Sequence, residues 1–349
     1  MRICLMNDNF NRSGGVTIAI KRIAQALVDV DYFVVACEDD SRPQDLAWIP
    51  EGKFAMFYLK TSNLFLLWKE ILRFKQWFDS EKLDLVHCHH RRLAAILQVA
   101  QVPVLYTGHL VFKYESWFRW LHPRRMTAVT DSVAHNIYET TRRNVLARIG
   151  NPVLFPDSCP CVDLARVQKR AICIARLDAV KGHTHLLKAW KLLCDRGKRY
   201  ELDLVGEGTL FSELSSQVER DGMDDLVHFV GYTSEVSSAI QNSLFAILVS
   251  EFEGQGIVTL EAASMGRASL LTAVPGSVDL LPPDGSLVNG LEFGNAVQLA
   301  DALEQWFAVP EQVVEEGTRF FHFLKTTSDP VRVATGYRSL YQQIVAGVA

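Results

Sequence analysis

Between Leu244 and Pro275 the chain reads LFAILVSEFEGQGIVTLEAASMGRASLLTAVP, a run that few architectures accommodate. Leu244 to Val249 is apolar without polar alternation, the pattern of a strand buried on both faces of a parallel sheet. A polar, glycine-bearing turn follows, from Ser250 to Gly256. Ile257, Leu260, Glu261, Ser264 and Met265 then recur at helical spacing, and Gly266 closes the helix where a left-handed residue is favoured. A second apolar strand, Ala268 to Val274, ends at Pro275. The unit is strand, turn, helix, strand, with backbone N–H groups and a helix N-terminus at the carboxyl end of a sheet. That arrangement attracts an anion, typically a phosphate. Two carboxylates accompany it, Glu253 in the turn and Glu261 eight positions later in the helix.

The same alternation runs through the rest of the chain. Strands are expected over residues 2–6, Tyr32 to Cys37, Phe54 to Tyr58, Leu83 to His87, Val104 to Thr107 and Met126 to Thr130. Between them lie a helix marked by Val16, Ala19, Ile20, Ile23, Leu27 and Val30, a helix from Leu64 to Phe78 that reads as a core helix with a polar stripe, and a helix from Arg91 to Ala100. Asp131 is expected to cap the next helix. Strands separated by helices imply right-handed crossovers and a parallel sheet covered on both faces. From Gly150 to Lys169 the pattern breaks, with three prolines and no period, which is a linker signature. Alternation restarts with Ala171 to Ala175, Thr184 to Cys194, Leu202 to Val205, Leu210 to Arg220 and Leu226 to Val230. After Pro275 come a turn at Asp284-Gly285-Ser286, a short strand near Leu287, a helix with Val297, Ala300, Leu303 and Phe307 on one face, and a last helix from about Pro330 to Ala346.

At 349 residues, two domains are the default. The expected division is an N-terminal Rossmann-like domain over 1–152, a linker over 153–169, a C-terminal Rossmann-like domain over 170–328, and a C-terminal helix over 329–349 that could pack back on the first domain. The fold class is α/β, two doubly wound domains in tandem, with a ligand between the carboxyl edges of their sheets. A net charge of −4 argues against a protein that coats nucleic acid or depends on global attraction to an anionic membrane. The first residues begin a strand, without the features of a secretory signal, and no apolar run reaches bilayer length. The seven cysteines are odd in number and scattered, as in a reducing compartment. A cytoplasmic protein is expected.

Four places bear on one candidate site. The loop Asn9 to Gly15 carries paired glycines ahead of a helix, so backbone can approach a ligand beside a positive dipole end. The segment from Ala175 to His183 places Arg176 and Lys181 between a strand end and a helix start. A guanidinium can grip a phosphate bidentately and an ammonium adds a point charge, though both could equally be solvated. Val205-Gly206-Glu207-Gly208 and Val230-Gly231-Tyr232 put glycine at strand ends, where main chain can meet a flat base or ribose, or merely turn. The fourth is the stretch from Leu244 to Pro275.

Together these motifs resemble the retaining glycosyltransferases of the GT-B fold, two Rossmann-like domains facing across a cleft, and within them the GT4 family. The residues that carry the likeness are ARLDAVKGH at 175–183, VGEG at 205–208, FVGY at 229–232 and SEFEGQGIVTLEAASMGRASLLTAVPG at 250–276, whose Glu253 and Glu261 match an E-x7-E signature. The first domain agrees more loosely through SGGV at 13–16, DLVHCH at 84–89 and TGH at 107–109.

The resemblance implies a nucleotide-diphospho-sugar donor, UDP- or GDP-linked, and a hydroxyl acceptor on a glycan, a glycolipid or a small molecule, in cell-surface polysaccharide or lipopolysaccharide assembly. It implies that Arg176 and Lys181 neutralise the diphosphate and that Glu261 binds the ribose. Glu253 would lie beside the transferred sugar, with backbone N–H groups from Gln255, Gly256, Ile257 and Val258 nearby. Gly206 and Tyr232 would lie at the nucleotide, His109 would face the reacting sugar, and Gly15 would contact the diphosphate. No metal and no other cofactor are implied, since cationic side chains and helix ends supply the charge neutralisation. No nucleic-acid partner is expected. A peripheral contact with the inner face of the membrane is compatible with a lipid-linked acceptor, and the aromatic and basic segment from Phe112 to Arg125 is one candidate for it. The alternatives are a catalytically degenerate sugar-nucleotide-binding subunit and a GT-B nucleotide-sugar epimerase.

Two departures bear on activity. Gln255 stands where the family often has Phe, and Pro275-Gly276-Ser277 stands where Gly-Gly is frequent. His87-Cys88-His89-His90 invites a metal, but neighbours on a strand point to opposite faces, so a polar loop at a strand end is expected instead.

Overall fold

The computed structural model describes residues 1–8, 10, 14–37, 48–59, 62–111, 122–167, 169–283 and 290–348. The chain divides into two compact units, Met1–Pro152 with Pro330–Ala349, and Val153–Asp329. No helix among the described residues is long and apolar enough to cross a membrane.

The first unit runs β1 (Arg2–Asn7), α1 (Gly15–Ala26), β2 (Asp31–Ala36), β3 (Phe54–Met56), α2 (Leu64–Ser80), β4 (Leu85–Cys88), α3 (Arg91–Val99), β5 (Val104–Gly108), β6 (Met126–Ala128), α4 (Asp131–Thr141) and β7 (Ala147–Arg148). The strands form one parallel sheet in the order β3-β2-β1-β4-β5-β6-β7. Ile3 to Met6 of β1 are buried because both faces of the sheet are covered, which is why the strand carries no polar alternation. The strand order reverses between β1 and β4, so the loops leaving these two strands flank a crevice at the carboxyl edge.

The second unit runs α5 (Leu164–Val167), β8 (Arg170–Ile174), α6 (His183–Asp195), β9 (Glu201–Val205), α7 (Phe211–Arg220), β10 (Val227–Gly231), α8 (Val236–Gln241), β11 (Phe245–Leu248), α9 (Ile257–Ser264), β12 (Ser269–Leu271), α10 (Ala296–Ala308) and α11 (Pro310–Ser328). Its parallel sheet has the order β10-β9-β8-β11-β12, with the reversal between β8 and β11. A final helix, α12 (Pro330–Val345), belongs to the first unit. There Val333, Tyr337, Leu340, Tyr341 and Ile344 join Ile20 and Ile23 of α1 in one core.

Several expectations need correction. The stretch 153–169 is packed rather than a free linker: Val153, Phe155 and Val167 are buried in the second unit's core, and Lys325 Nζ donates to the Pro156 and Asp157 carbonyls. Helix α4 is capped by Thr130, whose hydroxyl accepts from the Val133 N–H, and Asp131 sits in its first turn. Helix α11 falls between the last two helices expected from sequence; its buried Val313, Phe320, Phe321 and Leu324 follow helical spacing behind an N-terminal Pro310. Helix α2 buries only Ile71, Phe74 and Phe78. Its first turns leave Leu64 81% and Phe65 77% exposed, with Leu66, Trp68 and Leu72 also exposed. The turn and short strand at 284–287, most of the Asn9 to Gly15 loop, and 112–121 of the aromatic and basic segment lie outside the described residues.

Candidate active site

In the second unit the strand order directs two loops to the same crevice. The first leaves β8 at Ala175 and carries Arg176, a single 3-10 turn over Ala179–Lys181, and then α6. The second leaves β11, crosses Ser250 to Gly256, and enters α9. They are joined by main chain, since the Glu251 N–H donates to the Val180 carbonyl at 2.8 Å.

They are also joined by charge. Lys181 Nζ donates to Glu253 Oε1 at 2.6 Å, and Ser250 Oγ donates to the same oxygen at 2.7 Å. The Glu253 side chain is only 8% exposed and that of Lys181 21%. A carboxylate this buried needs partners, and it has an ammonium and a hydroxyl. Ser250 is itself fixed: its carbonyl accepts from Thr272 Oγ1 at 2.7 Å.

Two glycines explain the loop geometry. Gly276, at φ +88°, packs so closely that a Cβ would lie 2.4 Å from the Glu253 carbonyl oxygen and 2.6 Å from that of Gly254. It is buried, whereas Pro275 beside it is exposed. The departure from Gly-Gly therefore falls on the solvent side, and the glycine the Glu253 loop requires is present. Gly206, at φ +138°, sits where a Cβ would lie 2.1 Å from the Ala175 carbonyl oxygen. It lets the loop after β9 rest on the backbone leading to Arg176. Its demonstrable task is loop packing, not only the approach to a base that the sequence suggests.

The remaining expected residues are placed as follows. Arg176 is 56% exposed and ion-paired with Asp178 at 3.0 Å, a partner not assigned from sequence. Tyr232 follows β10 and is 54% exposed. Gln255 is buried, Gly256 is the left-handed N-cap of α9, and Ile257 and Val258 are its first residues. Glu261 is half-buried on α9. A cavity of about 470 Å³ in this unit is lined by Arg166, Arg170, Asp203, Thr233 and Asn242 among others and includes none of the expected site residues. Arg170 in it already grips Asp203, with both carboxylate oxygens at 3.0 Å.

In the first unit, Gly15 is the exposed first residue of α1. His109 follows β5, is buried, and shares a 2.7 Å hydrogen bond between its Nε2 and His89 Nδ1. Asn151 hydrogen-bonds the His109 side chain as well. His87 lies behind, with Nδ1 2.6 Å from the Tyr341 hydroxyl and Nε2 2.7 Å from Thr107 Oγ1. The polar loop expected at 87–90 is thus a buried imidazole row: the rings of His87 and His89 are 4.2 Å apart and those of His89 and His109 5.0 Å. Burial pushes His87 down to about 3 and His109 down to about 4, the latter opposed by the Asn151 hydrogen bond, and holds His89 well below the usual range. His90 turns away to cap α3. Among the described residues no group of three or more His, Cys, Asp or Glu is placed to hold a metal ion.

Ser250, Asp178, His89 and Asn151 contact the expected residues Glu253, Arg176 and His109, and sequence reasoning missed them. Ser250 and Asp178 stand inside the quoted motifs, three and two positions from Glu253 and Arg176. His89 was visible only as part of a metal-like run, and nothing local marks Asn151.

Two parallel-sheet units of this kind, each with its loops gathered at the carboxyl edge, define the GT-B fold. The fold is shared with a crystal structure of Anabaena Alr3699/HepE in complex with UDP and glucose, at a TM-score of 0.79 and 17% identity over 97% of this chain and 99% of that one. Residues 13–153 match the model of Glycosyltransferase Family 4, and residues 168–308 that of Glycosyl transferases group 1. The chain belongs to the GT4 glycosyltransferases. It is 32% identical over 97 residues to the poly(glycerol-phosphate) alpha-glucosyltransferase of Bacillus subtilis, which is 28% of this chain and 14% of that protein. It is 25% identical over 126 residues to the amylovoran biosynthesis glycosyltransferase AmsD of Erwinia amylovora, 36% of this chain and 35% of that one. The matched stretches span between 14% and 38% of the curated relatives' own lengths.

Proposed function

We propose that the chain is a retaining, metal-independent glycosyltransferase that moves a hexose from a nucleotide-diphospho-sugar to a hydroxyl group in the assembly of a cell-surface polysaccharide. The observation that carries this reading is the contact between Lys181 and Glu253, which joins the basic loop to the first glutamate of the E-x7-E motif. The relatives named for poly(glycerol-phosphate) glucosylation and amylovoran biosynthesis support the acceptor class, and the fold neighbour crystallised with UDP and glucose supports a UDP-sugar donor.

In the reaction, the bond from the anomeric carbon to the diphosphate oxygen breaks, and the acceptor oxygen bonds to that carbon on the same face. The acceptor proton passes to the leaving diphosphate. Charge gathers on that diphosphate as the bond breaks, and Lys181 and Arg176 are the cations of this crevice that would stabilise it. Glu261 would hold the ribose and Glu253 the sugar. A lipid-linked acceptor would account for the exposed apolar start of α2, which would rest at the bilayer surface.

The test is nucleoside diphosphate release from UDP-, GDP- and ADP-sugars with and without glycan or glycerol-phosphate acceptors, with the product anomer read by NMR. Acceptor-dependent release with the donor's configuration kept is expected. Nucleotide binding without release from any donor indicates a binding subunit instead, and an inverted product overturns the retaining assignment.

A further inference from the structure

We propose that His89 is a positioning residue for His109, fixing its ring plane and its protonated nitrogen through the 2.7 Å bond between His89 Nδ1 and His109 Nε2. The role rests on the proposed transferase function and on the expectation from the family resemblance that His109 faces the reacting sugar.

Strand periodicity sets the arrangement. His87 is on β4 and His89 two positions on, so both present their rings to the same side, toward β5. The parallel pairing of β4 with β5 brings each within reach of a residue twenty positions later: His87 meets Thr107 and His89 meets His109. His87 is held from both ends, by Tyr341 and Thr107, and Thr107 in turn shares a 2.6 Å bond with Thr127. His89 packs against this anchored ring at an interplanar tilt of 37° and presents its Nδ1 to His109. The reversal of strand order between β1 and β4 puts His89 at the edge of the sheet where a ligand crevice forms.

The chemistry of neutral imidazole makes the contact directional. All three rings are buried deeply enough to stay uncharged at neutral pH. A neutral imidazole has one N–H and one lone pair, so in the shared bond one ring donates and the other accepts. The proton position on His89 is thereby coupled to that on His109, whose side chain Asn151 also hydrogen-bonds. His89 has no other purpose visible among the described residues. Its Nε2 is buried without a hydrogen-bond partner, an arrangement that is costly for a buried polar atom. A leucine would fill the space without that cost, so packing alone does not account for a histidine there.

The test uses the full-length chain with His89→Leu, His89→Asn and His89→Gln. Asparagine places an amide near the Nδ1 position and can keep the bond to His109, whereas glutamine places it near Nε2 and cannot. In wild-type protein labelled with 15N-histidine, His109 should show a single neutral tautomer. That pattern should survive in His89→Asn and average between tautomers in His89→Leu and His89→Gln. Turnover should fall about 10- to 100-fold in the leucine and glutamine variants, at unchanged KM for the donor, and recover to within about fivefold of wild type in the asparagine variant. An equal loss in all three variants, or a His89→Leu protein with wild-type tautomer and turnover, overturns the proposal. The spectra need no catalysis. A tautomer that collapses on loss of His89 in a protein that transfers no sugar would refute the functional reading while leaving the positioning role in place.

Discussion

Lys181 Nζ and Glu253 Oε1 stand 2.6 Å apart across the two loops that leave β8 and β11, although seventy-two residues separate them in the chain. The lysine of the basic motif is thus held by the first carboxylate of the glutamate motif. In the proposed reaction an arriving diphosphate would offer Lys181 a second anionic partner at the same place, with Ser250 Oγ left to hold Glu253 while the ammonium is shared. Donor binding and the orientation of Glu253 would then be coupled through one side chain.

That coupling is measurable as non-additivity. Lys181→Ala alone leaves a buried carboxylate with the Ser250 hydroxyl but without its cation, and Glu253→Gln alone leaves a half-buried ammonium without its anionic partner. Urea unfolding of both single variants and the double variant should give an interaction energy of about 2 kcal/mol, with the double variant less destabilised than the sum. Strictly additive effects would mean the contact does not persist in solution.

Gly276 is expected to be intolerant where Pro275 is not. Gly276→Ala forces a Cβ to within 2.4 Å of a carbonyl at positive φ and should cost about 2–3 kcal/mol, with loss of nucleotide binding as the Glu253 loop shifts. Pro275→Gly restores the commoner sequence at an exposed position and should leave turnover within about twofold. Thermal melting and donor turnover distinguish them, and the reverse order of effects contradicts the assignment of Gly276 as the glycine that matters.

Acidification should destabilise the protein in a window set by its buried imidazoles. His87 is pushed down to about 3, and His109 and His183 to about 4, against 6.5 when unfolded. Their folded pKa values are depressed, so the unfolded chain binds more protons between pH 6.5 and about 4. Stability is therefore full above pH 6.5 and is lost as the pH falls, by about 1.4 kcal/mol per pH unit for each imidazole. Glu316, raised by burial, acts in the opposite sense as a single group. Denaturant midpoints at pH 7, 6 and 5 should fall steeply; a flat profile contradicts the neutral, buried imidazole row.

Helix α2 should bind vesicles. Leu64, Phe65 and Trp68 are exposed beside Lys69, a composition suited to the headgroup boundary of an anionic bilayer. Co-sedimentation with phosphatidylglycerol vesicles and a blue shift in tryptophan emission are expected, both lost in Phe65→Glu with Trp68→Glu at unchanged melting temperature. Equal sedimentation of the variant would move the contact elsewhere.

Much of this architecture was legible because parallel strands buried on both faces read as short apolar runs, as Phe245 to Leu248 and Leu202 to Val205 do. The nearness of Lys181 and Glu253 was legible because glycines and strand-to-helix turns surround both. Less legible was what depends on contacts distant in sequence. The bond between His89 and His109 arises from the pairing of β4 with β5, and Tyr341 reaches His87 from the far end of the chain. The exposed start of α2 was misread because Leu64, Phe65 and Trp68 look like core to any hydrophobicity pattern. Helix α11 was overlooked although Pro310 and the spacing of Val313, Phe320 and Leu324 announce it.

The most direct test of the donor site is calorimetric titration of UDP, GDP and ADP into the wild-type protein and into Arg176→Ala, Lys181→Ala and Glu261→Ala. Saturable binding of one nucleotide is expected, weakened about tenfold or more in each variant, as loss of a charge-assisted contact of about 1.5–3 kcal/mol implies. Binding of no nucleotide by the wild type, or equal affinity in all three variants, would contradict the assignment of this crevice as the donor site.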